Sequence, residues 1–335
     1  METSAPPPLF VGVDVSKSSL DACLLTRERP KERRFPNDEK GVARLLAWAR
    51  ELGAGGVGME ATGGYERALA LAAHASGLLV RVENPRRVRD SARASGRLNK
   101  TDRADARAIA EHLRRYEGRA WRPASPVARA MDGLTAHRAA LLQERTRLGN
   151  RLERRGDLPA LVAAQIDARL SALERDLEEV EAERRRIARE DAALARDAEA
   201  LRGLPGVGEA TALLVLALAG NVEDYPSAQS YAADAGLAPC RRESGAWKGK
   251  SRLSRQGDAS LRSGLYMAAV AAARCDPLMR GFKERLLQRG KTKMQALVAC
   301  MRKLLMRCYG VLKAVRSGKE PFYGHSPKEE STREA

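Results

Sequence analysis

From residue 166 to residue 201 an apolar side chain recurs every seven positions: Ile166, Leu173, Val180, Ile187, Leu194 and Leu201. On a helix this spacing draws one continuous apolar seam. Leu170 and Leu177 fill the companion seam early, whereas Arg184 and Asp191 occupy it later. A lone helix would leave that stripe wet, so the pattern demands a partner. The stretch from about 128 to 155 is also helical in pattern, and Gly156-Asp157-Leu158-Pro159 breaks the chain between the two. The expectation is an antiparallel coiled-coil hairpin over 126–201. The run Arg184-Arg185-Arg186, set among acids, reads as a solvated face of it.

Before the hairpin, residues 9–125 alternate strand and helix signals. Leu9 to Val15 is a β-branched run that reads as a buried strand, and 21–26 as a second. Further strands are expected near 56–60 and 78–82, with helices over 39–52, 65–76 and 101–116, the last capped by Thr101. Strands separated by helices imply a mainly parallel sheet covered by helices. After the hairpin, residues 202–325 are mostly helical and open on Leu204-Pro205-Gly206-Val207-Gly208. Residues 1–8 and 326–335 are polar or proline-rich and are expected to be disordered and loose.

Charge narrows the class of partner. The chain has 335 residues with 60 Lys+Arg against 43 Asp+Glu, a formal net charge of +17. Polyanions are therefore the first partners to consider. The excess is concentrated: residues 240–310 carry 17 basic and 4 acidic side chains, whereas the heptad stretch 165–200 has 7 and 11. Aromatics make up only 4%, which argues against a reader that stacks many bases. The longest uninterrupted apolar run, Ala212 to Ala219, is too short to span a membrane. The five cysteines form no CxxC pair, so neither a disulfide framework nor a zinc site is expected.

Four carboxylates stand where chemistry would need them. Asp14 ends a buried-looking strand and Glu60 ends a short apolar run, positions where a charge is costly unless paired or metal-bound. Asp102 and Asp105 are three residues apart on one expected helix, hence on one face. An oxygen-only cluster of this kind suits Mg²⁺ or Mn²⁺. Taken singly, each has an ordinary structural reading: a turn residue, an ion pair with a neighbouring arginine, a helix cap. Their joint order, strand-end Asp, strand-end Glu, then Asp-x-x-Asp on a later helix, resembles the ribonuclease-H-like nucleases, RuvC-type junction resolvases among them.

Three blocks carry a closer likeness. Val11-Gly12-Val13-Asp14-Val15-Ser16-Lys17, Met59-Glu60-Ala61-Thr62-Gly63-Gly64-Tyr65 and Lys100-Thr101-Asp102-Arg103-Ala104-Asp105-Ala106 resemble the DEDD transposases of insertion sequence family 110. The stretches 203–211, 231–239 and 244–267 resemble the same family, so the likeness runs along nearly the whole chain in order. It implies an α/β plus α architecture: an RNase-H-like, RuvC-type mixed-sheet domain, then the hairpin, then a mainly helical transposase domain.

In the basic second half, Ser244-Gly245 is flanked by Arg241, Arg242, Lys248, Lys250, Arg252 and Arg255. From chemistry alone this reads as a phosphate-gripping loop in which Ser244 donates a hydrogen bond, since no neighbouring base is evident. The resemblance implies more, namely that Ser244 is the nucleophile that links covalently to a DNA end, with Ser254 its main rival. Gly206 and Gly208 resemble a helix-hairpin-helix turn whose backbone approaches a phosphate. A helix connector is the competing reading.

The likeness also implies a recombinase that excises and inserts a mobile element, acting on donor and target DNA with Mg²⁺ or Mn²⁺. A structured non-coding guide RNA, a homodimer or homotetramer, no membrane, and a prokaryotic cytoplasmic setting at the nucleoid complete the expectation. The alternatives are a metal-dependent RuvC-like Holliday-junction endonuclease without a covalent intermediate, and a non-catalytic nucleic-acid scaffold.

Overall fold

The computed structural model describes residues 8–95, 102–219, 221–240, 243–244, 247–248, 252–254 and 257–323; for residues 102, 103, 243, 244, 247, 248 and 252 it describes the backbone alone. Thr101, the first seven residues and the tail from 324 lie outside that set. The chain divides into two compact units, parted between Pro123 and Ala124.

The first unit is built on strands β1 (Phe10–Val15), β2 (Ser19–Leu24), β3 (Lys31–Pro36), β4 (Gly56–Glu60) and β5 (Leu79–Glu83), in the order β3-β2-β1-β4-β5. The β3-β2-β1 half is antiparallel and the β1-β4-β5 half parallel, so the sheet is mixed rather than mainly parallel. The difference comes from β3, which runs as an antiparallel edge strand. Its sequence, Lys-Glu-Arg-Arg-Phe-Pro, buries only Phe35 and carries no alternating apolar pattern to announce it. Charged edges of this kind resist pairing with other chains.

Alternation along each strand sorts the side chains onto two faces. Val11, Val13, Leu20, Ala22, Val57, Met59 and Val80 pack against α1 (Glu39–Glu51) and α2 (Arg67–Ala75). The opposite face carries α4 (Asp102–Arg115), with α3 (Pro85–Ala94) beside it. α3 also lacks a readable apolar stripe: Arg-rich throughout, it buries Val88 and Ser91. Small residues let α4 approach the sheet. A Cβ on Gly12 would stand 2.3 Å from the Ala110 amide nitrogen and 2.7 Å from the Ala106 carbonyl oxygen. Cys23, Ala106 and Ala110 close the same contact.

The second unit begins with α5 (Pro126–Leu152) and α6 (Ala160–Glu190), which pack as an antiparallel hairpin: Arg138 meets Glu181 near one end and Arg155 pairs with Asp167 at the other. Leu141, Leu148, Ile166, Leu173, Leu177 and Val180 form its core. The sevenfold pattern does not run on in one helix. Asp191 ends α6 with an extended backbone and caps α7 (Ala192–Arg202), its Oδ1 accepting from the Leu194 amide at 2.8 Å. Ile187, Leu194 and Leu201 therefore serve a different core from Ile166, Leu173 and Val180. Arg184 is not on a solvated face either: it is buried, with its guanidinium on Glu181 at 3.0 Å.

That second core is formed by α7, α8 (Glu209–Ala219), α9 (Ala228–Asp234), α10 (Ala259–Cys275), α11 (Pro277–Gln288) and α12 (Lys293–Arg316). α12 is its axis, burying Cys300, Leu304, Leu305, Cys308, Val311 and Leu312 at helical spacing. No helix among the described residues is long and apolar enough to cross a membrane. No disulfide links the cysteines.

Candidate active site

The register of the sheet decides what Asp14 and Glu60 can share. β1 and β4 run parallel with Val13 opposite Met59, so one residue further on Asp14 is level with Glu60. Asp14 is also the direct partner of Asp21 on β2, and Glu60 of Glu83 on β5. Four adjacent strands thus carry one carboxylate each in a single row, on the face that holds α4. Strands sit about 4.8 Å apart, so the row sets adjacent carboxylate-bearing positions one strand spacing apart. The row lies at the C-terminal ends of the parallel strands, the end where open α/β sheets bind ligands.

The two outer members have charged partners. Asp21 is buried, with Arg34 Nε at 3.5 Å. Glu83 is buried too, and burial alone would raise its pKa. The contact from His112 and the charge and hydrogen bonds of Arg81 outweigh that effect and hold it at about 2. The inner pair, Asp14 and Glu60, is half-buried. Asp105, also half-buried, precedes the Ala106 that rests on Gly12, so close packing of α4 on β1 brings its acidic turn to this row. Asp102 opens the same helix; its side chain lies outside the described residues. Among the described residues no three Asp, Glu, His or Cys side chains are gathered tightly enough to hold a metal ion.

The loops that follow β1 and β4 are tied to each other. Asn37 Nδ2 donates to the Ser16 carbonyl at 2.8 Å and to the Tyr65 carbonyl at 3.4 Å. Glu66 Oε2 accepts from the Thr62 amide, the Thr62 hydroxyl and the Gly64 amide at 3.1, 3.2 and 2.9 Å, folding the glycine turn beyond Glu60. Asn37, Glu66, Asp21 and Glu83 are site neighbours that sequence reasoning missed. Only the spacing of Glu66 behind the Gly-Gly turn offered a local signal.

In the second unit, β7 (Glu243–Ser244) pairs with β8 (Trp247–Lys248), Ser244 opposite Trp247, which places Ser244 at the end of this antiparallel strand pair. Outside it β6 (Pro239–Cys240) pairs with β9 (Arg252–Leu253), Cys240 opposite Arg252. Ser254 follows at the base, half-buried, its amide donating to the Ala238 carbonyl at 3.0 Å. Lys248 thus stands in the Ser244 strand pair, opposite Glu243, and Arg252 in the β6–β9 pair. Arg241, Arg242, Lys250 and Arg255 lie outside the described residues.

The glycine turn between α7 and α8 splits its two residues. Gly206 has φ +90°, and a Cβ there would meet the Ala272 amide nitrogen of α10 at 2.5 Å. The Cα of Gly206 therefore packs against α10. Gly208 is exposed, with open space around it, at the N-terminus of α8. That terminus presents amides to solvent.

Two family models match the chain. One, for a transposase of the DEDD type in IS110, covers residues 11–155; the other, for transposases of the IS116/IS110/IS902 family, covers residues 198–284. The chain belongs to the IS110 family of transposases. Asp14, Glu60, Asp102 and Asp105 lie inside one matched segment, and Gly206, Gly208, Ser244 and Ser254 inside the other. It is 29% identical over 317 residues to the pilin gene-inverting proteins of Moraxella lacunata and Moraxella bovis, matches that span 92% of this chain and 96% of theirs. The insertion element IS110 uncharacterized 43.6 kDa protein of Streptomyces coelicolor is 33% identical over 113 residues, 34% of this chain and 28% of that one. Among solved structures, T. thermophilus RuvC in complex with Holliday junction substrate aligns with 32% of this chain and 92% of its own, at 15% identity and a TM-score of 0.26. As a member of this transposase family, the chain is an enzyme of DNA recombination.

Proposed function

We propose that this transposase excises and inserts a mobile DNA element by exchanging phosphodiester bonds for a serine ester. In this reading Asp14, Glu60, Asp102 and Asp105 are the metal-holding carboxylates and Ser244 is the nucleophile. The observation that carries it is the level placement of Asp14 and Glu60 under the acidic end of α4. The donor set contains only oxygens, the donor chemistry that Mg²⁺ and Mn²⁺ take. When bound there, such an ion supplies polarisation of the scissile phosphate and stabilises charge on the leaving oxygen.

The residues of the chain do the rest. Arg241, Arg242, Lys248, Lys250, Arg252 and Arg255 hold the DNA backbone beside Ser244, and Ser254 and the backbone amides of Gly206 and Gly208 add hydrogen-bond donors. Ser244 Oγ bonds to phosphorus, the bond from phosphorus to the adjoining nucleotide oxygen breaks, and the serine proton ends on that oxygen. The products are a phosphoserine ester and a DNA hydroxyl. Attack of a second DNA hydroxyl on the ester restores Ser244 and seals the new joint, so no external energy source is consumed. The α5–α6 hairpin acts as a coiled-coil spacer, and the composite site forms between subunits of a dimer or tetramer.

Sequence readout is delegated to a structured guide RNA that pairs with donor and target DNA. This suits a chain with 4% aromatics and its cations concentrated near Ser244. The place of action is then the cytoplasm, at the nucleoid.

Paired variants test this reading. Asp14→Ala and Ser244→Ala are each expected to abolish strand transfer on donor and target DNA. Normal cleavage by Ser244→Ala, with hydrolysed ends, would instead assign a junction endonuclease. RNA is expected to copurify, and an RNA-free preparation that still recombines correctly would remove the guide from the account.

A further inference from the structure

Three charged or titratable side chains are buried where α4 meets β5: Arg81 and Glu83 are each 4% exposed and His112 2%. The guanidinium of Arg81 divides its donors. Its Nε and Nη2 reach Glu83 Oε1 at 2.8 and 2.5 Å, while Nη1 donates to the carbonyls of Leu113 and Tyr116 at 3.1 and 2.7 Å. The first belongs to the last turn of α4 and the second to the residue just past its end, where the final acceptors have no partner within the helix. From α4 itself, His112 Nε2 lies 3.5 Å from Glu83 Oε2, and Arg87 Nη1 stands 3.7 Å from the same oxygen.

This cluster grips one end of the helix that carries the acidic pair at its other end. Asp105 and His112 are seven residues apart, two turns on the same face, so a rotation that moves one moves the other. Between them α4 rests on Gly12 through Ala106 and Ala110. Alanine on glycine is a close contact but a smooth one, and it leaves rotation and sliding weakly specified. Apolar neighbours at this end, Val88, Ile109, Leu113 and Phe10, already supply burial. A directional charged grip is not needed for packing; its known use is to fix register. Glu83 also connects to the other half of the site. It is the strand partner of Glu60, and its carbonyl accepts from the amide of Ala61, the next residue along, at 3.0 Å.

We propose that Arg81, Glu83 and His112 are positioning residues that set the rotation and height of α4, so that Asp105 and Asp102 face Asp14 and Glu60. The inference rests on the metal-holding role given above to those four carboxylates. None of the three positioning residues touches DNA or metal; they act through the helix and the β4 end.

Mn²⁺ titration of the full chain, read by the electron paramagnetic resonance of unbound Mn²⁺, tests it alongside thermal melting. Glu83→Gln and His112→Leu are expected to melt cooperatively yet bind Mn²⁺ roughly three- to tenfold more weakly, somewhat less than the loss of a group bonded directly to a ligand. His112→Gln keeps a polar side chain beside Glu83 and is expected to stay near wild-type affinity. Wild-type Mn²⁺ affinity in Glu83→Gln and His112→Leu, with only the melting temperature lowered, would overturn the positioning role. Should Glu83→Gln fail to fold, the contrast between His112→Leu and His112→Gln decides, and equal affinities overturn the proposal. Wild-type protein whose Mn²⁺ binding is unaffected by Asp14→Asn would sink the metal site itself, a result separable from the first.

Discussion

Gly12→Ala is the smallest change that should separate folding from catalysis in this transposase. The added methyl would sit 2.3 Å from the Ala110 amide nitrogen and 2.7 Å from both the Ala106 carbonyl oxygen and the Ala110 Cα, all backbone atoms that cannot swing aside. Ordinary contact for a Cβ begins near 3.4 Å. The helix must therefore lift from β1 by roughly 1 Å, an overpacking strain that costs about 1–3 kcal/mol of stability. A displacement of about 1 Å in a catalytic group costs on the order of 10²-fold in rate. Since α4 carries Asp105 and Asp102, Gly12→Ala should fold, melt modestly lower, and cleave DNA on the order of a hundredfold more slowly. The assay pairs strand cleavage in Mg²⁺ with thermal denaturation. Gly133→Ala, an exposed helix position with nothing within 4 Å, is the control and should do neither harm. Wild-type cleavage by well-folded Gly12→Ala would refute the claim that this contact sets how closely α4 approaches the carboxylate row.

Other predictions rest on buried charge. Glu83 titrates at about 2 in the folded chain against an ordinary 4.5, so its contribution is present above pH 4.5 and is lost as pH falls toward 2. Acid denaturation of Glu83→Gln should lose that limb of the stability profile, up to about 3 kcal/mol. Asp276 is buried, caps α11 through the Leu278 amide at 2.9 Å and pairs with Arg307; Asp276→Ala should cost about 3–5 kcal/mol in urea unfolding by stranding that arginine. Arg184 has buried Nε and Nη2 atoms with no hydrogen-bond partner among the described residues, so Arg184→Met should leave the melting temperature unchanged or raise it.

What could be read from the sequence was whatever shows up in a local pattern. Apolar runs closed by an acid located β1 and β4 together with Asp14 and Glu60. The sevenfold repeat located the α5–α6 hairpin. Strand β3 and helix α3 escaped because charged residues fill them and each buries only one or two side chains. The break at Asp191 was hidden because the residue occupied a seam position and acted as a cap, a choice settled by the second core drawing Leu194 and Leu201 away from the hairpin. Arg184 looked solvated for a similar reason: its burial depends on the packing of α6, which local charge cannot report. The Arg81–Glu83–His112 grip joins positions about thirty residues apart across a sheet edge and a helix end, and no sequence period encodes that.

The central claim is a covalent exchange at Ser244 supported by the carboxylate row. Its most direct measurement is mass spectrometry of protein trapped on a DNA substrate, after nuclease and protease digestion. The account predicts a nucleotide phosphoester on the peptide containing Ser244, lost in both Ser244→Ala and Asp14→Ala. Cleaved DNA with no adduct on any serine, or an adduct mapped to Ser254 that persists in Ser244→Ala, would contradict it.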